Sequence, residues 1–153
     1  MQRPGDVLGG LIEINAWSVK RDHFPFMARA APRPRITIIV NDEPLLSALA
    51  FSLEAEGWEV APFRTPSEAL QRQSAAHCLL VDHNLPGMDG LALIALLRER
   101  GIGVPAVIIA GKPSAGFRRR AADAGIAIVD KPLIGDELRL QLRAAVMRPD
   151  APD

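Results

Sequence analysis

The sequence predicts an α/β fold in which helices cover both faces of a doubly wound, five-stranded parallel sheet. Two observations carry this prediction. Short apolar runs rich in isoleucine, leucine and valine alternate five times with longer runs of helical periodicity. The short runs are apolar at consecutive positions, which is typical of parallel strands that are buried on both faces. At 153 residues the chain is long enough for one such domain with a sizeable core.

The predicted strands are the five apolar runs. They cover residues 35–40, 58–63, 77–82, 104–111 and 126–130. The first strand reads RITIIV and is rich in β-branched residues, whereas the third reads HCLLVD and ends in a carboxylate. Cys78 is the single cysteine and lies in the third strand, so we expect a small buried hydrophobic residue and no internal disulfide.

The predicted helices cover residues 44–57, 65–73, 89–101, 114–125 and 135–147. Local signals mark their ends, as in the second helix, where Thr65 and Glu68 form a capping box around Pro66. Short loops between apolar strands and helices favour parallel crossover units. The natural arrangement at this length is the flavodoxin-like strand order 2-1-3-4-5, with helices on both faces.

The two ends of the chain depart from this regular pattern. Residues 1–34 contain four prolines, which discourage a long helix, so we expect a partly flexible N-terminal extension. Residues 35–148 are expected to form the folded domain, and residues 149–153 a C-terminal tail. Met27 precedes the last part of the extension and is a candidate alternative start.

Charge and hydropathy exclude several classes of function. Eighteen basic and eighteen acidic side chains cancel, which argues against generic nucleic-acid binding. No apolar run approaches the roughly 18 residues of a membrane span, and the N-terminus is not a convincing signal peptide. A cytoplasmic location fits the cysteine content. Few residues follow the last predicted helix, so no DNA-binding domain is expected after it.

Polar side chains lie at, or directly after, the carboxyl ends of three predicted strands. They are Asn41, Asp42 and Glu43 after the first strand, Asp82 at the end of the third, and Asp130 and Lys131 at the end of the fifth. Open α/β sheets bind their ligands at the carboxyl ends of the strands, beside the point where the strand order reverses. Carboxylates there can hold a hard divalent cation such as Mg²⁺, and a lysine can pair with a phosphoryl oxygen. Phosphoryl transfer needs such positioning and charge neutralisation.

Four motifs resemble those of the response regulator receiver domain of two-component signalling, similar in layout to the chemotaxis regulator. They read IIVNDEP, LLVDHNLPGMDG, VPAVIIAG and IVDKP, and occur in the family's order and spacing over about residues 35–147. The resemblance implies that Asp82 is the phosphoacceptor and that Lys131 contacts the phosphoryl group. It also implies that Mg²⁺ is held by Asp42, by Asp82 and by the backbone carbonyl of Asn84.

Three positions depart from the pattern of that family. Asn41 stands where the family has an acid, so we expect it to contact the ion only weakly, through water, and the affinity for Mg²⁺ to be low. Ala110 replaces a hydroxyl residue at the end of the fourth strand, and Ile128 replaces an aromatic residue in the fifth. The switch that normally follows phosphorylation should therefore be weakened. Lys112 is a candidate substitute contact, although a solvated loop lysine is favoured; for His83, a loop histidine without a catalytic role is favoured.

The leading hypothesis is a receiver that accepts a phosphoryl group on Asp82 and acts through protein–protein contact. The phosphoryl donor would be a histidine kinase or a phosphotransfer protein, the output a downstream protein partner, and a homodimer is left open. The domain would not be an enzyme beyond self-catalysed phosphotransfer and dephosphorylation. The alternative is a pseudo-receiver, a binding module that works without phosphorylation, and an enzyme of another class on the same fold is a third reading.

Overall fold

A five-stranded parallel sheet forms the centre of the domain. The computed structural model describes residues 33–72 and 75–147. Its strands are β1 (Arg35–Ile39), β2 (Glu59–Phe63), β3 (Cys78–Asp82), β6 (Ala106–Ala110) and β7 (Ala127–Asp130). They pair in parallel in the order β2-β1-β3-β6-β7. Counted in chain order within this sheet, the order is 2-1-3-4-5, so the predicted fold class is confirmed.

Five helices connect these strands within the described ranges. They are α1 (Glu43–Ala55), α2 (Pro66–Arg72), α3 (Gly90–Glu99), α4 (Ala115–Asp123) and α5 (Glu137–Val146). The predicted helices ran slightly long, because their bounds included the capping residues and the glycines that follow. Thr65 caps α2 as predicted, since its hydroxyl accepts a hydrogen bond from the backbone N–H of Glu68 at 3.1 Å.

The sheet separates two hydrophobic clusters. On one face, side chains of α1 and α5 pack on the strands, with Leu49 and Leu142 among the buried members. On the other face, α2, α3 and α4 pack on the strands, with Leu93 and Phe117 among the buried members. Helices on both faces are what a parallel sheet needs, because each face of such strands is apolar.

Cys78 lies in the first of these clusters and is fully buried. Burial raises the pKa of its thiol to about 12, because the thiolate would be poorly solvated there. The expectation of a small buried hydrophobic residue is confirmed.

A short hairpin, which the sequence did not predict, occupies the segment between β3 and α3. β4 (Asn84–Leu85) and β5 (Met88–Asp89) pair antiparallel, with Leu85 opposite Met88. Pro86 and Gly87 form the turn, and Gly87 has a φ of 87°, which glycine adopts without strain. The order Pro-Gly is typical of a type II turn.

The predicted extension and tail fall almost entirely outside the described residues, and so does Met27. None of the helices within 33–72 and 75–147 combines the length and apolar character that a membrane span requires.

Candidate functional site

Asp82 is the last residue of β3 and is only 3% exposed. Burial of a carboxylate is unfavourable unless hydrogen bonds and opposite charge compensate it. Both are present. The Nζ atom of Lys131 lies 3.2 Å from Oδ1 and 3.1 Å from Oδ2 of Asp82. The backbone N–H of Asn84 donates a further hydrogen bond to Oδ1 at 3.1 Å.

Lys131 reaches Asp82 because of the order of the strands. It directly follows β7, which pairs with β6, and β6 in turn pairs with β3. The backbone N–H of Lys131 donates to the carbonyl of Ala110 at 2.8 Å, which fixes the start of its loop against β6. Two residues that are 49 positions apart in the chain thus form an ion pair at the carboxyl edge of the sheet.

Asp42 and Asn41 follow β1 at the same edge. Ile39 pairs with Val81 in the parallel register, so the residues after β1 lie beside the end of β3. Asp42 is exposed and caps α1, because its Oδ1 accepts a hydrogen bond from the N–H of Leu45 at 3.2 Å. Its Oδ2 accepts no hydrogen bond from the described part of the chain and remains available to a ligand.

Asn41 is turned toward β2. Its Nδ2 donates to the backbone carbonyl of Arg64 at 3.0 Å. Arg64 in turn directs its guanidinium back to this loop, with Nε and one terminal nitrogen each 3.4 Å from the backbone carbonyl oxygen of Asn41. Its other terminal nitrogen lies 3.4 Å from a carboxylate oxygen of Glu43.

Sequence reasoning missed Arg64. The available signal was its place as the residue directly after β2, at the edge where the other polar side chains gather.

Gly90 sets how closely α3 approaches Asp82. Its N–H donates to the carbonyl of His83 at 3.0 Å. A β-carbon at Gly90 would lie 2.6 Å from the carbonyl oxygen of Asp82 and 3.0 Å from a methyl carbon of Val81. In the sequence, Gly90 falls at the start of the helix predicted over residues 89–101, and a glycine so soon after a polar strand end is a signal of close backbone approach.

His83 is half-buried and packs against α4. Its ring lies 4.0 Å from that of Phe117, centroid to centroid, with an interplanar angle of 44°. Its Nδ1 is buried and has no hydrogen-bond partner among the described residues. The nearby Arg118 in α4 pairs with Asp130 at 3.1 Å, so α4 contacts the neighbours of both Asp82 and Lys131.

Two of the three departures from the family pattern, Ala110 and Ile128, lie in β6 and β7, as the sequence predicts. Ala110 is fully buried at the end of β6 and offers no hydroxyl to the site. Ile128 packs at the margin of the cluster formed with α2, α3 and α4. Lys112 is exposed, has a φ of 50°, and makes no hydrogen bond or ion pair with Asp82.

The oxygen atoms at this edge suit a hard divalent cation. Two carboxylates, Asp42 and Asp82, stand there beside the backbone of Asn84, and oxygen donors of this kind are the ligands that Mg²⁺ prefers. No cluster of three or more histidine, cysteine or acidic side chains occurs in the described ranges, so water would have to complete the coordination.

Known proteins are similar to this chain over most of the described residues. Residues 36–143 match the family described as the response regulator receiver domain. The probable transcriptional regulatory protein TcrX of Mycobacterium tuberculosis is 31% identical over 126 residues, which cover 80% of this chain and 54% of that protein. The response regulator protein TodT of Pseudomonas putida is 32% identical over 114 residues, which cover 72% of this chain and 50% of that protein. The chain thus spans about half the length of these relatives.

Solved structures agree in fold. The non-phosphorylated HemR receiver domain from Leptospira biflexa has a TM-score of 0.71 and 24% identity, covering 79% of this chain and all of that one. A CheY-like receiver domain protein from Methanospirillum hungatei has a TM-score of 0.69 and 25% identity, covering 75% and 94% of the two chains.

Proposed function

The chain belongs to the response regulator receiver domain family and is thus a domain of phosphorylation-based signalling, in which we propose that Asp82 accepts the phosphoryl group. The observation that carries this proposal is the bidentate contact between Lys131 and Asp82 at the carboxyl edge of the sheet. Lysine holds both oxygens of a buried carboxylate there, and the same ammonium group can contact a phosphoryl oxygen.

The chemistry is a displacement at phosphorus. One carboxylate oxygen of Asp82 forms a bond to the phosphorus atom, while the bond from phosphorus to the imidazole nitrogen of the donor breaks. The donor keeps the electron pair of the broken bond. Lys131 offsets the negative charge on the phosphoryl oxygens, and the N–H of Asn84 keeps the attacking carboxylate in place. Hydrolysis of the acyl phosphate returns Asp82 to its resting form.

Asp42, Asp82 and the backbone carbonyl of Asn84 are the residues that would hold Mg²⁺. When bound, the ion would neutralise charge on the transferring phosphoryl group. Oδ1 of Asp42 caps α1, whereas Oδ2 accepts no hydrogen bond from the described residues. Oδ2 is therefore open to a cation, which supports this assignment. Asn41 would contact the ion only weakly, through water, because its amide carries no negative charge.

The domain is a signalling domain and not a classical enzyme, and its self-catalysed phosphotransfer and dephosphorylation belong to this proposal. We propose a histidine kinase or a phosphotransfer protein as donor, a downstream protein as output partner, and a cytoplasmic location. Because the matched relatives are about twice as long, the output of the whole protein is a proposal too.

Switching after phosphorylation is proposed to be weak. A ligand shifts a conformational equilibrium only through an interaction that differs between the two states. In the family that interaction is a hydroxyl bond to the phosphoryl group, followed by movement of an aromatic ring. Ala110 has no hydroxyl and Ile128 has no ring, so neither group is present at these two positions.

The test is intact mass spectrometry of the full chain after incubation with acetyl phosphate and Mg²⁺. We expect a mass gain of one phosphoryl group in the natural protein and in Asp130→Asn, which removes a second carboxylate at the same edge. Asp82→Asn should show no gain. An equal gain in Asp82→Asn would overturn the assignment, and no gain in any variant would favour a pseudo-receiver that works by binding alone.

A further inference from the structure

We propose that Arg64 sets the cation affinity of this site, because its positive charge lowers the affinity for Mg²⁺. The proposal rests on the proposed function in one respect, since it takes Asp42 and Asp82 as the ligands of the ion.

The contacts of Arg64 bracket Asp42. On one side the guanidinium lies 3.4 Å from the carbonyl oxygen of Asn41, and on the other it lies 3.4 Å from the carboxylate of Glu43. A permanent positive charge therefore touches the residue before and the residue after a candidate Mg²⁺ ligand. A cation bound at Asp42 would be repelled by this positive charge, although water and salt weaken the repulsion.

The position of Arg64 is fixed by its own backbone. Its N–H donates to a carboxylate oxygen of Glu68 at 2.9 Å, and its carbonyl accepts from the amide of Asn41 at 3.0 Å. The arginine is thus anchored to α2 on one side and to the loop after β1 on the other. Its charge stays at the edge of the sheet although the side chain is half exposed.

Arg64 also neutralises the charge of a carboxylate near the site. Glu43 is the first residue of α1, directly after Asp42, and its ion pair with Arg64 offsets its attraction for a cation. The absence of an acid at Asn41 and the presence of Arg64 act in the same direction. Two independent features therefore lower the negative potential that a divalent cation would experience.

The experiment is calorimetric titration of the full chain with MgCl₂ at low ionic strength, without any phosphodonor. Arg64→Gln should bind Mg²⁺ about two- to fivefold more tightly than the natural protein, the size of effect typical of exposed charges. Arg64→Ala should reproduce the gain, and Arg64→Lys, which keeps the charge, should not. The difference should shrink as salt is added, because salt screens charge and leaves packing unchanged.

Arg35→Gln is the matched control. Arg35 forms a comparably exposed ion pair with Glu59 at 3.8 Å, but at the opposite end of β1. The same change in net charge at that end should leave Mg²⁺ binding unaltered. An equal gain in Arg35→Gln, or unchanged or weaker binding in both Arg64→Gln and Arg64→Ala, would overturn the proposal.

Failure of this inference is distinguishable from failure of the proposed function. If Arg64→Gln binds Mg²⁺ more tightly while acetyl phosphate leaves every variant unmodified, the role of Arg64 stands and the phosphoacceptor assignment falls. If Asp82→Asn leaves Mg²⁺ binding unchanged, the ion binds elsewhere and the inference falls. If Arg64→Gln changes only the uptake of beryllofluoride, Arg64 is an anion contact and the inference also falls.

Discussion

Gly90 and Asp82 approach so closely that a β-carbon on Gly90 would stand 2.6 Å from the carbonyl oxygen of Asp82. Because the obstructing atom belongs to the backbone of β3, no rotamer change can relieve the contact. Gly90→Ala should therefore push α3 away from the sheet and lower the free energy of unfolding by about 1–3 kcal/mol, as overpacking does. Denaturant unfolding measures this change.

Gly116→Ala is the control for that experiment. Gly116 lies in the exposed part of α4, and a β-carbon there would meet only ordinary contacts at 3.9 Å and beyond. Alanine favours the helix by about 0.5–1 kcal/mol, so this variant should be as stable as the natural protein or more so. A stable Gly90→Ala protein would show that α3 can shift without loss.

Lys131→Ala should lower the rate of modification by acetyl phosphate roughly tenfold or more. A hydrogen bond to a charged group contributes about 1.5–3 kcal/mol, and each 1.4 kcal/mol is a factor of ten in rate. Time-resolved intact mass spectrometry measures the loss. Lys112→Ala removes an exposed lysine that does not contact Asp82 and should react at the natural rate. Equal rates in the two variants would contradict the role given to Lys131.

Asn41→Asp should tighten the binding of Mg²⁺ about fivefold, because it adds one negative charge beside Asp42 at an exposed edge. Calorimetry without phosphodonor measures this gain. The new carboxylate also loses the hydrogen bond that Asn41 donates to Arg64, so a melting curve should accompany the titration. A properly folded variant with unchanged affinity would mean that this position does not sense the ion.

Cys78 should resist alkylation at pH 8 in the folded protein and react in denaturant. Burial raises the pKa of its thiol to about 12, against an ordinary value of 9.0, so the reactive thiolate is scarce and enclosed. The folded thiol keeps its proton where the unfolded thiol releases it, so this group should destabilise the protein as the pH rises above 9. Labelling with iodoacetamide followed by mass spectrometry checks the first expectation. Rapid labelling of the native protein would mean that β3 opens readily.

Ala110→Thr should enlarge the response of the signalling face to a phosphate mimic. The new hydroxyl could bond the phosphoryl group, whereas the natural alanine cannot. NMR spectra with and without beryllofluoride should show larger shifts over residues 111–135 in the variant than in the natural protein. Large shifts in the natural protein would contradict weak switching.

The fold was predictable from the sequence because its signals are local and repeated. Apolar strands and capped helices alternate, and the strand order follows from short connections. The gathering of Asp82 and Lys131 was predictable as well, since the carboxyl ends of parallel strands share one edge. The resemblance to the family, through its four motifs, gave those residues their roles.

The remaining features depend on side-chain directions that no periodicity encodes. Arg64 looked like a loop residue, but only the packing of β2 against β1 brings its guanidinium to Asn41. The contact of His83 with Phe117 needs the position of α4 relative to the end of β3. The hairpin after β3 was missed because two-residue strands are too short to show an alternating pattern.

The position of β7 at the edge of the sheet has a consequence for how the domain is made. Asp82 leaves the ribosome 49 residues before Lys131, which corresponds to roughly 2–10 seconds at ordinary rates of translation. During that interval the carboxylate of Asp82 lacks the cation that compensates its burial, and β6, once made, has an unpaired edge until β7 follows. The contact between Asp82 and Lys131 joins residues that are distant in sequence, and such non-local contacts slow folding. The charged pair therefore forms only after β7 has been made, and a chain interrupted before β7 lacks both the fifth strand of the sheet and Lys131.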